Sequence, residues 1–419
     1  MKLVIASLLV CLALALGGER KRYDGYQLIK LTPTTKQQLD VIRQFEDSDK
    51  FIFLSDIGNI NSDIYVIVHP DEVSVFVSYI SAYKIQRVLE NPDIQQDLDS
   101  MWERLDSQKA FDINDYNRLE DIEAQIDVWN NACVSGFECS IENLGNSYEG
   151  RPIKLLKIEK AGENRKIMWM DSTIHAREWL APATVLKIAN AIFTGENADA
   201  TRLLNTYDWY FVFVMNPDGY VYTWDGDRFW RKSRNPNAGS SCIGTDLNRN
   251  YDYRWGFGGS STNPCSTTYR GTSAGSEPET KAVQTKALAI GSRVLSWVSV
   301  HTSGNMWLSA FGYLEPSGVC GEPTDYNDIY SVAEATAEAV MDTFGTTWTY
   351  GSACTTIYPA SGITVDYTYG AAGIKYSYTP ELRGPGFNPG PNAITPSYQE
   401  VWNGIVAMIR KIEEIENNK

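Results

Sequence analysis

From residue 111 onward, short apolar runs alternate with longer amphipathic stretches, and this alternation restricts the fold more than any other feature of the sequence. Runs at 153–158, 166–170, 210–215, 294–300 and 375–379 read as buried strands. Apolar residues recur at helical spacing over 116–130, 181–193, 277–289, 329–344 and 398–414. Strands separated by helices imply an α/β unit, a largely open, mixed and mostly parallel sheet with helices on both faces. In such sheets ligand sites gather where the strands end.

The chain of 419 residues is long for one compact domain. Residues 23–88 read as a smaller α+β unit, with strands at 26–31, 51–54, 64–68 and 84–88 and helices at 34–45 and 71–81. Asn91-Pro92 then starts a polar, charged helical segment that runs to about Lys109 without an evident core. It reads as a linker, and the expected divisions are 1–17, 18–109 and 110–419.

Lys2 precedes an apolar run over 3–16 that ends in small residues, with Ala15 and Gly17 placed for cleavage before Gly18. The run falls short of the roughly 20 residues a membrane span needs, so it reads as a secretory signal. Of seven cysteines, Cys11 leaves with that signal. The even remainder suits an exported chain with three disulfides, and proximity favours Cys133–Cys139, Cys242–Cys265 and Cys320–Cys354. The formal net charge of −15 argues against nucleic acid or an anionic membrane as partner, and a monomer is expected.

Only three histidines occur, and His69 belongs to the leading unit. His175 and His301 each follow a predicted buried strand, so both can converge at one edge of the sheet. Glu178 lies one turn after His175, close enough to face the same cation. Two imidazoles and a carboxylate suit a catalytic zinc with an open position. The same residues also fit a plain reading, as polar groups satisfied at strand ends, and spacing does not separate the two. The pattern is not H-E-x-x-H, so the carboxylate here would be a ligand and a general base must come from elsewhere.

Further motifs narrow the choice. His175-Ala176-Arg177-Glu178-Trp179, Asn216-Pro217-Asp218-Gly219, Trp230-Arg231-Lys232, Asp246-Leu247-Asn248-Arg249-Asn250, Ile357-Tyr358 and Glu381-Leu382-Arg383 stand in one order. Ser147-Tyr148-Glu149-Gly150-Arg151-Pro152 precedes them. In order and approximate spacing they resemble the zinc carboxypeptidase A/B family over the whole larger unit. The leading unit is similar to the family's activation domain. The resemblance implies an eight-stranded sheet and a secreted zymogen that acts on peptide and protein C-termini, as in a digestive lumen. It also implies one Zn2+ held by His175, Glu178 and His301, and the connecting segment carries Arg104 and Lys109, either of which a trypsin-like activating protease could cut. Glu381 matches the general base and Arg231 the oxyanion-stabilising residue. Asn248 and Arg249 match the clamp on the C-terminal carboxylate, Tyr358 the tyrosine that closes over it, and Arg177 a contact upstream of the scissile bond. A relative without catalysis would lack a ligand or the base, and all four residues are present.

Val365 matches the residue at the base of the specificity pocket, where an aspartate would select Lys or Arg. An aliphatic residue there implies apolar or aromatic C-termini, because an unpaired buried ammonium costs several kcal/mol. Leu308, Gly312, Ala353 and Thr379 match other pocket positions, and small Ala353 leaves room for a large ring. Asp366 is adjacent, and a slip of one residue in the match would reverse the preference. Two departures from the family stand out. Ser303 occupies a position where many members carry tyrosine, and 384–391 is short and rich in Gly and Pro.

Overall fold

The computed structural model describes residues 19–46, 48–55, 57–58, 60–384, 386 and 388–419. The expected signal at 1–17, with Cys11, lies outside them. Among the described residues the chain forms two sheets. The leading unit contributes β1 (Gln27–Thr32), β2 (Phe51–Phe53), β3 (Ile64–Val68) and β4 (Gln86–Asn91), in the order β2-β3-β1-β4. The helices Lys36–Arg43 and Val73–Ala82 close a core around Ile42, Ile64, Val66, Phe76 and Ile80.

The larger unit contains β5 (Glu138–Asn146), β6 (Pro152–Glu159), β7 (Ile167–Ser172), β8 (Asp208–Val212), β9 (Val294–Thr302), β10 (Met306–Ser309), β11 (Thr349–Ser352) and β12 (Tyr376–Leu382). Their order is β11-β10-β12-β9-β7-β8-β6-β5. The four central strands β12, β9, β7 and β8 run parallel, whereas β6 and β10 join them antiparallel. Every residue of β7 and β8 is buried, which explains why the sequence shows continuous apolar runs there and not alternation. Side chains still divide by face. Met168 and Met170 meet the helices Leu180–Thr194 and Ile394–Asn417, while Ile167 and Trp169 pack toward Val283 of Pro278–Ile290. Trp169 stacks on Trp297 of β9 with ring centres 4.0 Å apart.

Three disulfides, Cys133–Cys139, Cys242–Cys265 and Cys320–Cys354, have Cα separations of 5.5, 5.1 and 5.8 Å, within the usual range. No described helix is long and apolar enough to cross a membrane.

One segment departs from the sequence reading. The helix Gln95–Asp106, expected as a linker without a core, buries Leu98, Met101 and Leu105. Its Trp102 meets Trp179 edge-on at 5.8 Å and Trp224 at 6.0 Å. The apolar stripe of this helix has no partner within 91–109 and finds one on the larger unit. Reading the segment by itself could not reveal that contact.

Candidate metal centre and substrate pocket

Strand register assembles the site. β7, β9 and β12 are neighbours, with Ser172 opposite Val300 and His301 opposite Glu381. One edge of the sheet therefore carries Glu381, His301 and, on the turn after β7, His175. That turn is held in a costly conformation: Thr173, a β-branched residue, sits at φ 60°. Its hydroxyl donates to Phe213 O at 2.9 Å and its carbonyl accepts from Asn216 N at 3.1 Å. These bonds hold the chain where it must swing from the sheet into His175.

The three residues converge. His175 Nδ1 lies 2.7 Å from Glu178 Oε1, and His301 Nδ1 lies 3.2 Å from both Glu178 Oε2 and His175 Nδ1. One ligand atom from each residue falls within 4.8 Å of the others, and all three side chains are buried. Burial opposes ionisation of Glu178, but the facing imidazoles of His175 and His301 outweigh it and hold the carboxyl well below its usual range. Burial likewise lowers the pKa of His301, against the pull of Glu178.

Asp246 ties this centre to the groups around it. Its Oδ1 lies 3.1 Å from His175 Nε2, and its Oδ2 accepts from Arg231 Nη2 at 2.9 Å and Nε at 3.2 Å. Oδ1 also caps the short helix Leu247–Arg249 by accepting from Asn248 N at 2.9 Å. Burial disfavours the charge on Asp246, yet Arg231, His175 and Arg249 keep the carboxyl far below the ordinary range. Holding the Nε2 proton of His175 leaves its Nδ1 lone pair directed at Glu178 and His301.

A pocket opens beside these residues, lined by Glu381, Arg231, Asn248, Arg249 and Tyr358 on its polar side. Its apolar wall is Leu308, Ala353, Ala360, Ile363 and Val365. Arg249 is fixed by Gly259 O, at 2.9 Å from Nε, and by Asn248 O, at 2.9 Å from Nη1. Its Nη2 reaches Tyr358 Oη at 3.3 Å. Asn248 Oδ1 is taken by Thr364, whose N–H and hydroxyl donate at 2.8 and 3.0 Å. That leaves the Nδ2 group as the donor available to a ligand. Thr379 lines the pocket, whereas Gly312 packs behind the wall against Ile363 and Ala360. Arg177 is not in this pocket; it lines a neighbouring cleft that shares Arg231. Ser303 Oγ accepts from Gly386 N at 3.1 Å.

Comparison with known proteins places this arrangement. A family model described as zinc carboxypeptidase matches residues 136–404, and one described as carboxypeptidase activation peptide matches residues 29–100. The chain belongs to the zinc carboxypeptidase family. It is a metallocarboxypeptidase carrying the activation segment of a zymogen. A zinc carboxypeptidase A 1 of Anopheles gambiae is 34% identical over 97% of this chain and 94% of its own. Carboxypeptidase A1 of Bos taurus is 33% identical over 96% of each chain. The solved carboxypeptidase A of Helicoverpa armigera shares 28% identity at a TM-score of 0.82, covering 94% of this chain and 98% of that one.

Two residues of this zinc carboxypeptidase matter in ways the sequence reading did not assign. Asp246 was visible only as part of a motif; an acid just before Asn248 and Arg249 was the available signal. Asp366 does not line the pocket. Its Oδ1 accepts from Gly312 N at 2.8 Å, and Oδ2 is buried without a hydrogen-bond partner among the described residues. Burial pushes its pKa up to about 8, against the N–H groups of Gly312 and Tyr313.

Proposed function

We propose that the chain is the secreted proenzyme of a zinc exopeptidase that removes apolar or aromatic C-terminal residues. One observation carries this reading: the converging donors of His175, Glu178 and His301 open, beside Glu381, onto a pocket with a cationic clamp and an apolar wall. The donor set suits zinc, because two imidazole nitrogens and a carboxylate face one point while Asp246 occupies the outer nitrogen of His175. Zinc held there acidifies a water and polarises a carbonyl.

The chain's own groups divide the remaining work. Glu381 takes a proton from the attacking water on its carboxylate and returns it to the leaving amine nitrogen. Arg231, oriented by Asp246, donates to the negative charge that develops on the scissile carbonyl oxygen. Asn248 Nδ2 and the Arg249 fork bind the terminal carboxylate, and Tyr358 closes over it. An internal peptide bond offers no carboxylate to this clamp, which makes the enzyme an exopeptidase. Val365 faces the side chain of the terminal residue, and Asp366, kept neutral by burial behind the wall, offers no counter-charge to lysine or arginine.

The leading unit keeps the protein inactive. Glu46, Phe51 and Phe53 line a small cavity with Arg177 and Arg231. Leu54 and Gly58 lie against Gly386 and Ile357 at the edges of the pocket. Activation requires a cut between the units. Arg104 lies within the last turn of a helix and is paired with Asp115, whereas Lys109 is exposed and outside any helix or strand. A trypsin-like protease cutting after Lys109 therefore divides the chain at 109/110.

A panel of blocked dipeptides on the activated enzyme tests the specificity. Substrates ending in Phe, Tyr or Leu should exceed those ending in Arg or Lys at least tenfold in kcat/KM, about 1.4 kcal/mol. A preference for Arg or Lys would place an acid in the pocket and overturn the assignment of Val365.

A further inference from the structure

Beyond Arg231 the substrate pocket continues into a second cleft of about 350 Å³ between the two units. The mechanism uses only its near end. Its catalytic wall carries four cations: Arg177, Arg231, Lys232 and Arg234. Lys232 is already committed, its Nζ donating to Pro264 O at 2.6 Å. Arg234 is different. Its guanidinium lies 3.6 Å from the ring centre of Tyr222 and 4.5 Å from that of Trp230, and those rings meet at 84°. Trp230 is itself anchored, donating from Nε1 to Lys232 O at 2.8 Å. Among the described residues no carboxylate stands within ion-pair distance of Arg234. The aromatic faces hold the plane of the guanidinium and leave its N–H edge for an acceptor.

Across the cleft, the leading unit contributes Glu46 and Asp49 to the lining. The acid on the catalytic wall, Asp227, is engaged by Lys21 at 3.1 Å and by the hydroxyl of Tyr23. The covering segment thus brings acids to a wall in which cations predominate. Removing that segment exposes the wall on the upstream side of the catalytic centre, because Arg231 borders both the pocket and the cleft.

We propose that Arg234, held in the corner formed by the Tyr222 and Trp230 rings, is an upstream specificity determinant that selects peptides with Asp or Glu a few residues before the scissile bond. The proposal rests on the exopeptidase reading above. It adds a preference that is independent of the terminal side chain.

The test uses trypsin-activated, zinc-loaded protein and peptides that share a blocked N-terminus and a terminal Phe. Glu or Gln is placed in turn at each upstream position. At one or more positions the Glu peptide should be cut at least fivefold more efficiently in kcat/KM, and the ratio should fall as NaCl is raised. Arg234→Met should bring the ratio to about one. Arg234→Gln carries the same comparison if the Met variant does not fold. A wild-type ratio at or below one at every position overturns the proposal, and so does a ratio that survives both substitutions. If neither peptide is hydrolysed, the exopeptidase reading fails instead. Fluorescence polarisation of the labelled peptides then reads the subsite directly, with tighter binding of the Glu peptide supporting it and equal binding overturning it.

Discussion

The catalytic centre and the seam that holds the leading unit are both built from paired charges, but in opposite surroundings. At the centre Glu178 is 2% exposed, Asp246 0% and Arg231 8%. At the seam Lys21 of the leading unit pairs with Asp227 of the larger one at 3.1 Å and Asp106 with Arg118 at 3.6 Å, while the Lys21 and Asp106 side chains remain 43% and 48% exposed. Arg20, whose guanidinium lies 3.9 Å from the ring centre of Trp102 in the same segment, donates across the seam to Trp224 O at 2.8 Å. Lys21 adds a backbone bond to Gly226 O at 2.7 Å. Removing one partner at the centre leaves a buried charge uncompensated, which costs several kcal/mol. At the seam, water and salt replace the lost partner, and an exposed pair is worth at most about 1 kcal/mol. A centre meant to persist and a cover meant to leave are thus built from the same interactions at different depths.

The largest effect should come from Glu381→Gln. Loss of the proton acceptor should lower kcat by about 10²–10⁴ while zinc content stays at that of the parent protein. Near-normal turnover would show that the base is elsewhere. Asp246→Asn should follow, because it loosens the orientation of both His175 and Arg231 without removing a ligand. Metal affinity or activity should fall about 10–100-fold, measured by competition with a chelator and by steady-state kinetics. Unchanged values for both would mean that the buried network does not set the geometry.

The smallest effect belongs to the seam. Lys21→Gln should weaken inhibition by the cleaved leading segment about fivefold, read as its inhibition constant, since it removes the exposed pair with Asp227, worth roughly 1 kcal/mol. The effect should shrink at high salt. A change larger than that at the catalytic centre would reverse the comparison.

The sequence revealed these two regions unequally. The central strands were legible because burial on both faces makes them continuous apolar runs, and two scarce histidines stood at their ends. β5 was not legible: it is an edge strand with a mixed, half-exposed pattern over Glu138–Asn146. β10 and β11 have four residues each, too few to show a period. The seam was hidden for a different reason. Leu98, Met101 and Leu105 look like an isolated stripe until the larger unit is present to receive them. The role of Asp246 depends on contacts with His175, at a sequence separation of 71, and with Arg231, at 15. No local pattern could have supplied the first of these.

The most direct measurement compares a peptide ending in a free Phe carboxylate with its C-terminal amide, using the trypsin-activated protein with and without a zinc chelator. Release of Phe from the acid alone, abolished by the chelator and restored by added zinc, is the outcome the clamp at Asn248 and Arg249 and the centre at His175, Glu178 and His301 require. Equal cleavage of the amide, or release that persists after the metal has been removed, would contradict the account of this chain as a zinc exopeptidase.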